Sequence, residues 1–104
     1  MEIIPLRAVP SQVLTVTLGG QACQIAVYQK ITGLYIDLYV NNALIIGGVI
    51  CENLNRIVRS IYLGFIGDLA FIDNQGNDDP VYTGLGTRFS LAYLSVNDLP
   101  PGVG

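Results

Sequence analysis

The sequence lacks histidine and tryptophan altogether and contains only two cysteines. Without histidine there is no Ser-His or Cys-His nucleophile pair, and the side chain best suited to proton transfer near neutral pH is missing. Two cysteines are too few to supply the Cys and His ligands of a structural zinc. A glycosidase-type carboxylate pair stays formally open through Glu52 and the loop aspartates, although nothing in the sequence fixes their spacing. We therefore expect no catalysis and no structural zinc.

Charged residues are also scarce. They make up 12% of the 104 residues, against about 25% in typical soluble domains. The five basic residues are scattered and the formal net charge is -3, which argues against a nucleic-acid partner. A surface so poor in charge predicts burial against partner proteins, as in subunits of obligate assemblies. The alternative is a small apolar monomer that exposes Thr, Asn and Gly.

No apolar run is long enough to cross a bilayer. The longest, Ala43–Cys51, falls far short of the roughly 20 residues required. The segment MEIIPLRAVP has Glu2 where a signal peptide is basic, and Pro5 interrupts its apolar stretch. We expect a soluble protein made in a cytoplasm, without a membrane partner. Cys23 and Cys51 are then expected to be reduced and buried, the alternative being one disulfide between them.

Hydrophobic residues alternate with a period of two, which predicts β-strands. Three strands are predicted first, at Val13–Leu18, Ala22–Tyr28 and Leu34–Val40. Their inward side chains are expected to be Leu14, Val16, Leu18, Cys23, Ile25, Val27, Leu34, Ile36, Leu38 and Val40. Gly19-Gly20 and Asn41-Asn42 are predicted two-residue turns. Ala43–Cys51 is apolar on both faces and is therefore expected to be a strand covered on each side.

Residues 52–65 are less regular, and we predict irregular chain followed by a short strand. Further strands are predicted at Leu69–Ile72 and Arg88–Leu94. The fold class is therefore all-β, a small antiparallel β-sandwich or barrel of about seven short strands formed by residues 1–96. Residues 97–104 form a tail rich in Pro and Gly, expected to be either a frayed end or an extended arm that another subunit holds.

An acidic loop, DNQGNDDP, runs from Asp73 to Pro80. An EF-hand calcium loop needs Gly at its sixth position and Glu at its twelfth, whereas counting from Asp73 places Gly76 fourth and Gly84 twelfth. Asp, Asn and Gly suit the left-handed conformations of a chain reversal. We therefore interpret the loop as a turn, with weak calcium binding by its aspartates as the alternative.

Four segments of the chain resemble, in order and without large gaps, the small plug proteins of phage tail baseplates, typified by cyanophage baseplate plugs. They read IIPLRAVPSQVLTVTLGGQACQIAVYQ, GLYIDLYVNNALIIGGVI, YLGFIGDLAFID and DDPVYTGLGTRFSLAYL. The resemblance implies a virion structural protein, present in multiple copies in a contractile-tail baseplate beside the tube, hub and spike proteins and assembled in the host cytoplasm. It implies no catalysis and no cofactor. The PPGVG tail has no counterpart in the family pattern.

On this interpretation Tyr35, Asp37 and Tyr39 form an outward aromatic-polar stripe suited to an interface, because Tyr offers a large contact area at low entropic cost. The alternative is a tyrosine ladder that only shields its own sheet. Arg88 is expected to pair with Asp78 or Asp79, or to reach a neighbouring subunit. The rival function is a small β-barrel module that binds a ligand or carbohydrate on a concave face.

Overall fold

The computed structural model describes residues 2–58, 65 and 67–95. The predicted tail at 97–104 and most of the second half of segment 52–65, where a short strand was predicted, lie outside these residues. Within them the chain forms seven strands and a single 3-10 turn at Tyr82–Gly84. The strands are β1 Glu2–Ile4, β2 Ser11–Leu18, β3 Gln21–Lys30, β4 Gly33–Val40, β5 Ala43–Ile50, β6 Asp68–Asp73 and β7 Phe89–Leu94.

Four consecutive strands, β2 to β5, form one antiparallel sheet in chain order. Two of its hairpins close through residues with positive φ, Gly19 and Gly20 at 57° and 77° and Asn41 and Asn42 at 51° and 68°. Left-handed conformations at both turn positions match the right-handed twist of the strands they join. Both predicted turns are confirmed.

A second sheet has the order β1-β7-β6 and is also antiparallel. Strand β1 was not predicted, because three residues before a proline are too few to show alternation. It pairs Ile3 with Ala92 and Ile4 with Leu91. The N-terminal segment is thus held by β7, the last of the described strands.

The inner faces of the two sheets enclose one hydrophobic core. Fully buried side chains come from both sheets, with Ile25, Ile36 and Leu38 from the larger and Leu69 and Leu91 from the smaller. The described strands form two open sheets and no closed barrel. The prediction of an all-β fold with about seven short antiparallel strands is confirmed, in its sandwich form. No helix among the described residues has the length and hydropathy needed to cross a membrane.

A buried carboxylate ties the segment after β5 to the smaller sheet. Asp68 is fully buried, and its Oδ1 accepts hydrogen bonds from the N–H groups of Ile57, Val58 and Leu69 at 3.1, 2.7 and 2.7 Å. The carboxylate therefore gives these three N–H groups the acceptor that a neighbouring strand would otherwise supply. This stabilises the fold, because a buried N–H without a hydrogen-bond partner costs free energy.

Strand β5 departs from the expectation that both its faces are covered. It is an edge strand of the larger sheet, and its register to β4 slips twice, between Ile36 and Leu38 and again between Leu38 and Tyr39. These slips are β-bulges, the first of which sets the Gly47-Gly48 pair opposite a single residue of β4. Strand β5 is therefore apolar although much of it is exposed, and it is not covered on both faces.

Candidate protein interface

The side chains of β2 to β5 that point away from the core form one surface, which we call the outer face. Its aliphatic, aromatic and charged members are Val13, Ala22, Ala26, Tyr28, Lys30, Tyr35, Asp37, Tyr39, Leu44 and Ile50, and its uncharged polar members are Ser11, Thr15, Thr17 and Gln24. Among them Val13, Leu44 and Ile50 are 66%, 56% and 43% exposed. Val13 lies on the edge strand β2 and Leu44 and Ile50 lie on the opposite edge strand β5, with the tyrosines of β3 and β4 between them. An apolar and aromatic face of this extent, with few charges, is a feature of surfaces that meet another protein.

Tyrosine rings form the centre of the outer face. Tyr28 and Tyr35 are cross-strand partners whose stacked rings have centroids 6.1 Å apart. The Lys30 ammonium lies 5.5 and 5.4 Å from the two ring centroids, within cation-π range. The Tyr35 hydroxyl is 2.6 Å from the Thr32 hydroxyl. Contacts with Lys30 and Thr32 thus restrict the two rings, so a partner that binds them would cause little further loss of side-chain entropy.

Asp37 is engaged within the chain. Its Oδ1 accepts hydrogen bonds from the Tyr28 hydroxyl at 2.8 Å and from the Gly48 N–H at 2.7 Å. Gly48 has φ of 64° and is the left-handed residue of the first β5 bulge. The hydrogen bond from its N–H to Asp37 therefore stabilises that bulge. Partial burial, and then the Asp37 carboxylate, raise the pKa of Tyr28. The sequence placed Asp37 on the correct face but did not reveal that it fastens a neighbouring strand.

Three of the four predicted interface residues therefore share one face, whereas Arg88 belongs to the other sheet. Tyr39 is half-buried between its cross-strand neighbours Gln24 and Leu44. Arg88 directly precedes β7. The structure does not bring Arg88 together with Tyr35, Asp37 and Tyr39 as a single cluster.

Arg88 organises the acidic loop. Its Nε and Nη2 donate to the two carboxylate oxygens of Asp73 at 2.9 and 2.8 Å, and Nη2 also donates to Asp78 at 2.7 Å. The predicted pairing with Asp78 is confirmed. Asp79 instead accepts from the backbone N–H of Asn53 at 3.0 Å. Asp73 was missed as a partner, although it lies opposite Phe89 in the β6–β7 ladder and so beside Arg88.

The Asp73 side chain is fully enclosed, and it also accepts from the N–H groups of Gln75 and Asp78, each at 2.9 Å. The paired guanidinium of Arg88, aided by these N–H groups, holds the pKa of Asp73 well below its usual range. With Arg88 between two of the carboxylates, the loop has the structure of an ion-paired turn. Arg88 also lies 5.0 Å from the ring centroid of Phe89.

This loop should make the stability of the protein sensitive to acid. Because the pKa of folded Asp73 is below its unfolded value of about 3.9, the pair stabilises the fold fully above that value and progressively less as the pH falls below it. In thermal melts from pH 7 to pH 2, the Tm difference between wild type and Asp73→Asn should stay constant at higher pH and shrink below about pH 4. A difference that persists unchanged to pH 2 would contradict this.

Arg88→Lys provides a second variant for the same experiment. It keeps the positive charge but loses the fork that binds both oxygens of Asp73. The pKa of Asp73 should therefore be lowered less, and the acid transition, meaning the decrease in Tm from pH 7 to pH 2, should be smaller than in the wild type. An unchanged transition would mean that charge alone, without bidentate geometry, determines the acid response.

Both cysteines are free and buried, in agreement with the first of the two expectations. Burial raises the pKa of Cys23 and raises that of Cys51 to about 12. At neutral pH both thiols are therefore protonated and poorly nucleophilic. Their environment matches that of small core residues.

A groove of about 730 Å³ borders the outer edge of the larger sheet. One wall consists of Pro5, Leu6, Arg7 and Val9, and the other is the first half of β2. The Gln12 side chain joins the two walls by accepting from the Arg7 N–H at 3.0 Å and donating to its carbonyl at 2.7 Å. The groove is open along the strand edge and has the shape of a channel beside a strand rather than a closed ligand pocket.

A scan against protein-family models matches residues 1–97 to the family described as cyanophage baseplate Pam3 plug gp18. No curated protein matches the sequence. The family match includes every described strand, both sheets and the outer face. The chain therefore belongs to the cyanophage baseplate plug family and is a structural component of a phage tail baseplate, where it associates with other baseplate proteins.

Proposed function

We propose that the protein is the plug of a contractile-tail baseplate, occupying its centre and contacting the tube, hub and spike proteins without catalysing a reaction. The observation that carries the proposal is the outer face of a chain that belongs to a plug family. A plug must fill space and adhere to its neighbours. The outer face offers aliphatic and aromatic area for that purpose.

The contacts of the charged side chains on the outer face are consistent with its being covered by a partner. Its two charged side chains are already engaged, Asp37 with Tyr28 and Gly48 and Lys30 with the two tyrosine rings. Covering the face would therefore bury each charge beside a group that already contacts it, which lowers the usual penalty for covering a charged surface. Each exposed aliphatic side chain would then contribute in proportion to the area covered, at about 25 cal/mol per Å².

The same features favour an assembly role over a ligand-binding module. A ligand barrel closes its sheet around a cavity, whereas the described strands form two open sheets. The groove beside β2 lies at a sheet edge and not inside a barrel. In the proposed role the protein is made in the host cytoplasm, is present in multiple copies and is incorporated as the baseplate assembles.

Two experiments test the role. A density map of the intact particle should place the chain on the baseplate axis beside tube, hub or spike proteins, and density away from the axis would refute the plug role. Leu44→Lys should leave the fold intact, since Leu44 is exposed, but should lower the amount incorporated into purified tails about tenfold by placing a charge in the contact.

Thr83→Lys is the matched control, because it introduces the same charge at an exposed position of the 3-10 turn, away from the outer face. Quantitative mass spectrometry of tails assembled with each variant gives the measurement. Equal incorporation of the two variants would show that the outer face is not the contact surface.

A further inference from the structure

Strand β2 carries a row of backbone groups that have no hydrogen-bond partner among residues 2–58, 65 and 67–95. It pairs with β3 alone among the described strands, and the bond from the Gln29 N–H to the Pro10 carbonyl at 2.8 Å fixes which residues face β3. In an antiparallel ladder hydrogen-bonded pairs alternate, so the even-numbered residues of β2 bond to β3. The N–H and C=O groups of Ser11, Val13, Thr15 and Thr17 therefore point away from the sheet.

The other sheet edges are protected, whereas nothing in the part of the chain that the structure describes pairs with the free edge of β2. Strand β5 is interrupted by two bulges, and β1 has only three residues. The edge of β6 is bridged by Asn53 and Arg56. Strand β2 is eight residues long, keeps one register throughout and contains no charge, proline or glycine. Bulges, charged side chains and prolines are the features that usually prevent another strand from pairing with a sheet edge, and β2 has none of them.

The side chains of β2 also leave apolar surface uncovered. Leu14 and Val16 point toward the core but are only half-buried, although they pack against it. On the opposite face Val13, Thr15 and Thr17 are exposed. An additional strand beside β2 would cover Leu14 and Val16 and satisfy the outward backbone groups at the same time.

We infer that the occupant of this edge is a second copy of the chain, whose own β2 pairs antiparallel to the first about a two-fold axis at Thr15. This register sets Thr15 against Thr15, Val13 against Thr17, and Leu14 against Val16 of the second copy. Leu14 meets Val16, the Thr15 hydroxyls meet each other, Val13 meets the β-branched Thr17, and no charges are brought together. The outward residues Val13, Thr15 and Thr17 exchange about six main-chain hydrogen bonds between copies.

Space along the edge is compatible with this arrangement. The groove beside the first half of β2 is open and is lined on its other side by Pro5, Leu6, Arg7 and Val9, so the end of the added strand has a wall to lie against. Pairing of two four-stranded sheets through β2 would give one continuous sheet of two copies. The outer face on each copy stays available, so this contact is independent of the proposed plug role and of the partner bound there.

A charge-swap experiment on the full chain tests the two-fold register. Thr15→Lys and Thr15→Glu should each fold as the wild type does, because Thr15 is exposed, but each sets like charges opposite one another in the dimer. Analytical ultracentrifugation should show a dimer dissociation constant at least about tenfold above wild type for either variant. An equal mixture of the two should restore association to near the wild-type value through Lys–Glu pairs.

Gln24→Lys is the control, since Gln24 is exposed on the same face as the β3 neighbour of Thr15. Its charge would lie three strand spacings, roughly 14 Å, from the same residue of the second copy, beyond the screening length at ordinary ionic strength. It should dimerise like the wild type. A wild type that stays monomeric at millimolar concentration, a Thr15→Lys variant that dimerises as well as Gln24→Lys, or a mixture no better than its components would each overturn the inference.

Amide hydrogen exchange gives a readout at the backbone itself. In dilute protein the N–H groups of Val13, Thr15 and Thr17 should exchange quickly while those of Gln12, Leu14 and Val16 are protected. At high concentration the odd-numbered amides should become protected as well. Loss of the alternation in dilute protein, or odd-numbered amides that remain fast at high concentration, would likewise refute pairing through β2.

Discussion

Replacing Asp68 with alanine is expected to destabilise the protein by about 3 kcal/mol, because buried backbone donors lose their acceptor. The N–H of Ile57 would keep a bond to the Leu69 carbonyl at 2.9 Å, but the bonds that Val58 and Leu69 donate to the carboxylate would be lost. For a domain of this size such a loss corresponds to a decrease in Tm of roughly 15 °C. Urea unfolding followed by circular dichroism measures it.

Asp68→Asn removes the negative charge but keeps an oxygen that accepts hydrogen bonds. The amide oxygen of Asn can still accept from Val58 or Leu69, so this variant should lose less than half as much stability as Asp68→Ala. Asp78→Ala, at an exposed loop position, controls for loss of an aspartate elsewhere and should change stability little. If Asp68→Ala unfolded at the same urea concentration as Asp78→Ala, the bonds from the buried N–H groups would contribute nothing measurable.

Substituting Gly86 with alanine should cost about 3 kcal/mol, for two reasons that add. Gly86 has φ of +83°, a conformation that side chains disfavour, and its new Cβ would be forced against the carbonyl oxygen of Leu6. Leu6 belongs to the buried core, so neither backbone can move aside freely. Denaturant midpoints with an unchanged slope would measure the loss.

Gly20→Ala is the matched control. Gly20 has nearly the same conformation, with φ of +77°, but a Cβ there meets nothing within 4 Å. It should therefore lose only about 1 kcal/mol, the cost of the left-handed conformation alone. Equal losses at the two positions would show that the contact with the Leu6 carbonyl is relieved at no cost.

The larger sheet was predictable because its determinants are local. Alternation in β2, β3 and β4 identifies the buried set, and the Gly-Gly and Asn-Asn pairs supply turns that need positive φ at both positions. Tyr35, Asp37 and Tyr39 were placed on one face by the same period of two. Each of these inferences uses residues no more than a few positions apart.

The features that were missed depend on contacts between distant parts of the chain. β1 is a strand only because β7 supplies its partner, and Asp73 meets Arg88 only because β6 pairs with β7. Apolar residues on both faces of β5 suggested burial, whereas bulges and an edge position leave it half-open. Sequence spacing carries no signal for such pairings, because loop closure and sheet register decide them.

The modification rates of the two buried thiols measure how often the sheet opens around each of them. A reagent that needs thiolate reaches Cys51, just past the edge strand β5, or Cys23, in the interior strand β3, only when the sheet opens there. The ratio of the two modification rates therefore distinguishes fraying of one edge from unfolding of the whole sheet. Kinetics of opening can be followed in the natural sequence, without an introduced label.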